Sequence, residues 1–343
     1  MNYLLRHGLI LISAVTLSVC QQYHSPAEIL KLMEASKVSY SFDNLAEADI
    51  TTAPAPVPLS HGLFLKQDSG GGYTVTSYGA EYQGKKEYTE NVMEAEKLFS
   101  GNDHTGARAA YLKALDAAPA SSQVMTFIGQ TYEQEENDSL AGVWFHRAIA
   151  ANKYDYMAHW FLADLLDKSG KNDEAIREII LAKILNRSNP RVSDAVERIF
   201  KRSGHSYADW EFTPRCAVER SEQNRLKLKV DMRYPEWLPY AACKAVWQGE
   251  PGYPESMLKG TKEPPLLVEE KECVVNVLMG MTNRGGTSKE RALRILPDVW
   301  EKSMFAEYVI YEVILPTHPS FVFYLSDENL AAISDYVRTF RME

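Results

Sequence analysis

The sequence lacks the excess of positive charge that binding to a nucleic acid requires. Its 37 Lys and Arg residues are outnumbered by 46 Asp and Glu residues, which gives a formal net charge of -9. Proteins that bind phosphate backbones displace counterions with clustered basic side chains, and the chain has no basic stripe. We therefore expect no nucleic-acid partner.

Residues that bind metals or carry catalysis are also sparse. The chain has 4 Cys and 8 His, and neither type is spaced as in a zinc site. The G-x-S-x-G and H-E-x-x-H motifs of hydrolases are absent. We expect no metal and no cofactor, and nothing in the sequence indicates an enzyme. Cys216, Cys243 and Cys273 allow at most one disulfide within the chain, or are buried as small apolar residues.

The one apolar run at the N-terminus, residues 8–19, is short for a membrane span and follows Arg6 and His7. This is the pattern of a secretory signal peptide, here residues 1–20. Leu17-Ser18-Val19-Cys20 resembles the lipobox of bacterial lipoproteins, in which Cys20 is acylated, although Val19 departs from the usual small residue. The alternatives are cleavage after Cys20, which gives a soluble periplasmic or secreted protein, and an uncleaved anchor. All three predict an exported chain, and lipidation predicts a membrane-associated one.

Residues 21–87 read as a tether. A short helix is predicted over Ser25–Ser36, where Pro26 suits the first helical position. Alternating prolines between residues 54 and 58 and the glycines 70–72 favour an extended chain with a turn, and Tyr73–Ser77 is a plausible strand.

From residue 88 the sequence repeats with a step of about 34 residues, the length typical of one class of helical repeat. Three frames are in phase, 88–121, 122–155 and 156–189, and a half-polar helix over Val192–Lys201 follows as the end cap of a solenoid. The middle frame carries the recurring residue types most completely, with Met125, Ile128, Gly129, Tyr132, Ala141, Phe145 and Ala148. This pattern resembles the tetratricopeptide repeat (TPR), so we identify 88–204 as three such repeats with a capping helix.

In TPR proteins the first helix of each repeat lines a concave groove. Carried over in register, the groove-facing positions that we predict to contact a partner are Glu96, Phe99, Gln123, Thr126, Gln130, Glu133, Gln134, Met157, Trp160, Asp164, Asp167 and Lys168. Most of the charged ones are acidic, which disfavours a peptide carboxylate. These residue types predict a protein or peptide partner that is neutral to basic and has an apolar anchor for Trp160 and Phe99; a solvated acidic face without a ligand is an alternative. The chain's own tether is an alternative occupant.

Residues 205–343 show no repeat and are predicted to form a small α+β domain of unknown role. Strands are expected at Leu226–Met232, Cys273–Met281, Glu307–Leu315 and Phe321–Leu325, and helices at Glu236–Trp247, Ser288–Leu296 and Asp327–Phe340. Trp237, Tyr240, Lys244 and Trp247 lie close together on the first of these helices and either line a cleft or pack in the core. The predicted fold is thus multidomain, an α-helical solenoid followed by an α+β domain, and the predicted function is an exported scaffold, with an envelope enzyme or ligand-binding module in residues 205–343 as the alternative.

Overall fold

The computed structural model describes residues 23–46, 57–222, 224–283 and 288–343. The predicted signal peptide and Cys20 lie outside these ranges. The described residues form two compact units: the solenoid unit, residues 57–209 and 315–343, and the mixed unit, residues 23–46 and 210–314. This division differs from the predicted boundary at residue 205. Residues 205–209 and 315–343 of the predicted C-terminal domain belong to the solenoid unit, and the predicted tether is divided between the two units.

The described secondary structure is mainly helical. The α-helices are α1 (Pro26–Ala35), α2 (Tyr78–Glu81), α3 (Lys86–Ser100), α4 (His104–Ala117), α5 (Ser122–Gln134), α6 (Asp138–Ala151), α7 (Tyr156–Lys168), α8 (Asn172–Leu185), α9 (Pro190–Arg202), α10 (Leu238–Gly249), α11 (Tyr253–Leu258), α12 (Pro265–Asn283), α13 (Arg291–Arg294), α14 (Leu296–Glu301), α15 (Phe305–Tyr308) and α16 (Asp327–Phe340). The strands are β1 (Ser39–Asn44), β2 (Leu63–Gln67), β3 (Tyr73–Ser77), β4 (Cys216–Glu222) and β5 (Arg225–Val230).

Three helical hairpins, α3–α4, α5–α6 and α7–α8, follow one another in the solenoid unit. The predicted small residues allow the helices to approach closely: Gly129 lies so near Phe145 that an added Cβ would stand 2.4 Å from the ring. The same pair of buried alanines recurs in each second helix, as Ala107 and Ala114, Ala141 and Ala148, and Ala175 and Ala182. The predicted repeats are thus present as packed hairpins.

The turn after each first helix also repeats. Asn102, Glu136, Gly170 and Gly204 all have a positive φ, between 58° and 81°, and each stands at the same position of its repeat. The left-handed conformation ends the helix and lets the chain reverse. Since Gly204 follows α9, this predicted end helix occupies the place of the first helix of a fourth repeat.

The remaining parts of the solenoid unit flank these hairpins. The hairpin β2–β3 pairs Leu63 with Ser77 in antiparallel register, and Phe64 stacks on Tyr78 of α2 with ring centroids 4.3 Å apart. At the other end of the chain α16 packs on α8, and the amide of Ala208 donates to the carbonyl of Arg341. The helix predicted over Asp327–Phe340 is confirmed, and Ser326 caps its N-terminus.

The mixed unit contains a three-stranded sheet in the order β1–β5–β4, with β1 parallel and β4 antiparallel to β5. Leu226, Leu228 and Val230 of β5 are buried, and α10 packs on β4 and β5. The predicted strand at Leu226–Met232 is confirmed as β5, and the predicted helix at Glu236–Trp247 is confirmed as α10; their observed ends differ from the predicted ones by one or two residues. Strand β1 comes from the segment predicted as a tether.

Three predicted strands are wrong. Cys273–Met281 lies within the helix α12, Glu307–Leu315 is α15 continued by a π-helical turn over Val309–Ile314, and Phe321–Leu325 is mostly a 3₁₀ helix. Each run is rich in β-branched or aromatic residues because it is buried on nearly all sides, and a helix enclosed in this way has no polar face to show its period. Only part of the predicted helix Ser288–Leu296 is helical, as α13.

Candidate functional site

The predicted groove lies where α5, α7 and α9 stand side by side. We call the surface made by Gln130, Glu133, Trp160, Asp164 and Arg198 the inner face. Gln130, Glu133, Trp160 and Asp164 are partly buried, and Arg198 is exposed. The inner face therefore combines an aromatic ring with charged groups at a surface that solvent still reaches.

Trp160 supplies the apolar centre of the inner face. Its ring stacks on Phe161 with centroids 5.2 Å apart. The indole Nε1–H lies near the carboxylate of Asp164 without the alignment of a hydrogen bond, and no other residue in the described part of the chain accepts it. Because Nε1 is buried, a bound chain can contact the partly exposed ring and not the N–H.

The two acidic groove residues of α7, Asp164 and Asp167, are already paired. Arg198 of α9 donates to Asp164 at 2.7 Å, and Arg202 donates to the buried Asp167 at 2.5 Å. Burial raises the pKa of Asp164, and Arg198 opposes this effect. Among the predicted groove residues only Lys168 is basic, and α9, predicted as a capping helix, adds Arg198 and Arg202 beside them.

Glu133 has no such partner. Its partly buried carboxylate makes no hydrogen bond or ion pair with the residues that the structure describes. Burial, followed by the nearby carboxylates of Asp164 and Asp138, raises the pKa of Glu133 to about 7, while Lys168 acts in the opposite direction. Exposed Lys168 is itself paired with Asp138, at 2.9 Å. Glu133 is therefore the carboxylate of the inner face that a cationic partner would relieve most.

The other predicted groove residues are spread over different surroundings. Exposed Glu96 accepts a hydrogen bond from Tyr111 at 2.6 Å, and partly buried Phe99 meets His104 edge to face. Thr126 is buried, Gln134 is exposed, and Gln123 and Met157 are partly buried. The structure thus brings together the residues near Trp160 and leaves those of α3 outside the inner face.

One edge of the solenoid is occupied by the chain itself. Residues 57–67, which we call the strap, run past the junctions between hairpins. The Asn186 side chain donates to the carbonyl of Leu59 and accepts from its amide, at 2.9 and 2.8 Å, and Asn152 donates to the carbonyl of Leu63 at 2.9 Å. Asn152 and Asn186 are equivalent positions of successive repeats, so one repeat position holds successive parts of an extended segment.

Asp155 joins the strap to two helices. Ser122 and Thr126 of α5 donate to its carboxylate at 2.8 and 3.1 Å, His61 of the strap lies at 2.9 Å, and the amide of Ala158 donates at 3.1 Å. Burial alone would raise the pKa of Asp155, but His61 and these donors lower it to about 2. Thr126, predicted to contact a partner, is used instead to bind Asp155.

The cleft candidates of the mixed unit are packed inside it. Trp237, Tyr240 and Trp247 are buried, with at most 7% of each residue exposed. Their polar atoms bond buried or partly buried carboxylates: Trp237 to Glu290, Tyr240 to Glu270 and Trp247 to Glu272, each at 2.7 Å. Lys244 donates to Glu269 and Glu270 at 2.7 and 2.6 Å. These contacts favour core packing over an open cleft.

Metal ligands and membrane-spanning helices are both lacking within the described ranges. These ranges contain no group of three or more His, Cys, Asp or Glu residues placed to hold a metal ion. Among the helices of the same ranges, none has the length and apolar character needed to cross a membrane.

No protein-family model and no curated protein sequence matches the chain. Solved structures that resemble it include the first TPR of Spaghetti (RPAP3) bound to the HSP90 peptide SRMEEVD, at 18% identity and TM-score 0.33, covering 35% of this chain and 94% of that one. The TPR2B domain of yeast Sti1 in its pHsp70 complex matches at 15% identity and TM-score 0.32, covering 34% and 96%.

The Yersinia enterocolitica type III secretion chaperone SycD, in complex with a peptide of the translocator YopD, matches at 16% identity and TM-score 0.31, covering 35% of this chain and 95% of that one. The assignment of this region rests on its own geometry: hairpins that recur at a constant step, small residues at their crossings and the same left-handed turn in each. The solenoid unit thus has the tetratricopeptide-repeat fold, with three helical hairpins and a helix at the place of a fourth first helix.

Proposed function

We propose that the solenoid unit is a scaffold that binds an extended peptide segment of a partner protein at the inner face. The observation that carries this proposal is Glu133: a partly buried carboxylate, unpaired among the described residues, whose neighbour Asp164 also lies near the partly exposed Trp160. A carboxylate in this position is costly to ionise while it lacks a counter-charge. A basic side chain of a partner would supply that charge.

The chemistry of the partner follows from the same surface. An apolar side chain packed on Trp160 removes exposed ring surface from water, and a neighbouring Lys or Arg pairs with Glu133. A peptide carboxylate at this place would meet Glu133 and Asp164 and be repelled. We therefore propose a neutral to basic segment with one apolar anchor.

We also propose that the protein acts in the cell envelope, exported by residues 1–20 and held at a membrane by a lipid on Cys20. The support is the apolar run 8–19 and the sequence Leu17-Ser18-Val19-Cys20. Tyr23 is already buried in the mixed unit. Only Gln21 and Gln22 separate Tyr23 from Cys20, and three residues of chain reach at most roughly 11 Å, so a lipid on Cys20 would hold the mixed unit close to the bilayer.

Binding of three synthetic peptides tests the partner chemistry. The peptides share a central Leu and differ only in their flanks, which contain Lys, Gln or Glu, and fluorescence anisotropy reports the Kd of each. We expect the Lys peptide to bind roughly 10-fold more tightly than the Glu peptide, because one relieved charge contact is worth about 1.4 kcal/mol.

Two variants and one control locate the effect. Glu133→Gln should reduce the preference for the Lys peptide, and Trp160→Ala should weaken the Lys and Gln peptides alike. Glu94→Gln is the matched control, because Glu94 is exposed on α3 away from the inner face. Equal affinities for the three peptides, or the same loss in Glu94→Gln as in Glu133→Gln, would refute the proposal.

A further inference from the structure

Three cysteines lie close together in the core of the mixed unit. Cys243 on α10 and Cys273 on α12 are both fully buried, and their Sγ atoms are 2.9 Å apart. Cys216 on β4 is a third thiol of the same core, and its charged form would interact with that of Cys273. Cys243 and Cys273 are thus already paired in space, although they belong to different helices and are distant in the sequence.

We propose that Cys243 and Cys273 form a disulfide that links α10 to α12 when the chain folds in an oxidising compartment. A disulfide needs an S–S separation of about 2.05 Å, so the two sulfur atoms have to approach by less than about 1 Å. Helices α10 and α12 pack against each other, so the two cysteines are already held side by side in the fold.

The bond has to form before the core closes. The attacking species in disulfide exchange is the thiolate, and burial raises the pKa of both Cys243 and Cys273 while also removing them from solvent. Lys244 opposes this effect without overcoming it. The folded, reduced protein should therefore resist oxidation, whereas the folding chain should not.

The exchange is balanced with a small disulfide or a thiol–disulfide oxidoreductase as the oxidant. One protein thiolate attacks a sulfur of oxidised glutathione and releases one reduced glutathione. The second protein thiolate then attacks the mixed disulfide, forms the Cys243–Cys273 bond and releases a second reduced glutathione. The two thiols of the protein lose two electrons and two protons, and the glutathione disulfide gains them.

The disulfide would stabilise the buried polar contacts beside it. Lys244 follows Cys243 and pairs with Glu270, and Glu272 precedes Cys273 and accepts from Trp247. A bond between α10 and α12 would keep Lys244 beside Glu270 and Trp247 beside Glu272. Because the bond also closes a loop of about 30 residues in the unfolded chain, it favours the folded state.

Oxidative refolding of the full chain tests the proposal. The reduced protein is refolded from guanidinium in reduced and oxidised glutathione, quenched with acid, denatured and alkylated with N-ethylmaleimide. In chain that is produced without export, and therefore carries no lipid, we expect two alkylated residues, Cys20 and Cys216, and a linked Cys243–Cys273 peptide that a reductant removes. Alkylation of all four cysteines, or a linked peptide that contains Cys216, would overturn the proposal.

Variants and a second readout keep the test sharp. Cys216→Ser should retain the linked peptide, and Cys243→Ser should leave Cys273 alkylated. Reduction should lower the Tm of the oxidised wild type by on the order of 10 °C, and an unchanged Tm would contradict the clamping role. The native reduced protein should stay reduced in the same buffer, and oxidation there would refute the order of events.

The disulfide proposal and the export proposal can fail independently of each other. Protein trapped with acid from whole cells should carry the bond if the chain is exported. A bond that forms on refolding and is absent in cells would contradict the export proposal and leave the disulfide chemistry supported.

Discussion

Replacing Asp155 with Asn should destabilise the solenoid unit in a pH-dependent way. Asp155 is buried, accepts from Ser122, Thr126 and the amide of Ala158, and contacts His61 of the strap. Asn keeps the shape and the helix cap but carries no charge. The change therefore removes the charge-assisted part of these contacts and leaves the packing in place.

The magnitude follows from the pKa of Asp155, which falls from 3.8 to about 2 on folding. A depressed pKa means that the unfolded state binds the proton more tightly, so stability is present above about pH 4 and is lost as the pH falls through about 2. The lowered pKa corresponds to about 2 kcal/mol at neutral pH. Asp155→Asn should lose about this much at pH 7 and almost nothing near pH 2.

Urea unfolding followed by far-UV circular dichroism between pH 2 and pH 7 measures this difference. Asp103→Asn is the matched control, since Asp103 caps α4 at an exposed position, accepting from the amide of Gly106, and Asn caps as well as Asp. We expect the control to change stability by less than about 0.5 kcal/mol. If Asp155→Asn lowers the free energy of unfolding no more than the control does, or by an amount that does not depend on pH, then the ionised carboxylate of Asp155 does not stabilise the fold in this way.

Glu133, Gly129 and Cys20 each give a further prediction. Because the pKa of Glu133 is raised from 4.5 to about 7, the unliganded fold loses stability as the pH rises from about 4.5 to 7. Glu133→Gln should therefore recover on the order of 1 kcal/mol of unfolding free energy at pH 8, and an unchanged urea midpoint would contradict this. Gly129→Ala should lower the free energy of unfolding by about 1–3 kcal/mol despite the better helix propensity of Ala. Phe145→Leu should destabilise the Gly129→Ala variant less than it destabilises the wild type, and additive effects in this double-mutant cycle would show that the close contact is not the cause. Cys20→Ser should move the protein from the membrane to the soluble fraction in cell fractionation, and an unchanged membrane fraction would argue against lipidation.

The repeats could be predicted from the sequence because their signal is local and periodic. Gly129 and Phe145 lie within one hairpin, and the same residue types recur from one hairpin to the next. The packing of each hairpin thus leaves a mark in a short stretch of chain. The solenoid and its end helix are therefore predictable in register.

The mixed unit could not be predicted to the same extent because its contacts are distant in sequence. Ser39 pairs with Arg225 across the parallel strands β1 and β5, and no local pattern announces such a partner. Helix α12 is buried on most sides, so Val274, Val275 and Val277 read as a strand. Tertiary burial outweighed β propensity there.

The candidate site was predictable in part. Glu133 and Trp160 were identified from their repeat positions, but their surroundings were not. Arg198 pairs with Asp164, which lies at the same position of the preceding repeat. Because equivalent positions of neighbouring first helices lie side by side, the repeat alignment could have indicated this pair. The strap could not be read in advance, since Asn152 and Asn186 bind backbone groups of residues 89 and 127 positions away.

Site-specific photo-crosslinking in intact cells tests the central claim most directly. A photoreactive benzoylphenylalanine is placed at Gln130 on the inner face or at exposed Val143 on α6, and the crosslinked segments are identified by mass spectrometry. We expect the probe at Gln130 to capture a defined, neutral to basic segment with an apolar residue, and Glu133→Gln to weaken this capture. The probe at Val143 should capture no such segment. Capture of the same segments from Val143, or of acidic segments from Gln130, would contradict the proposal.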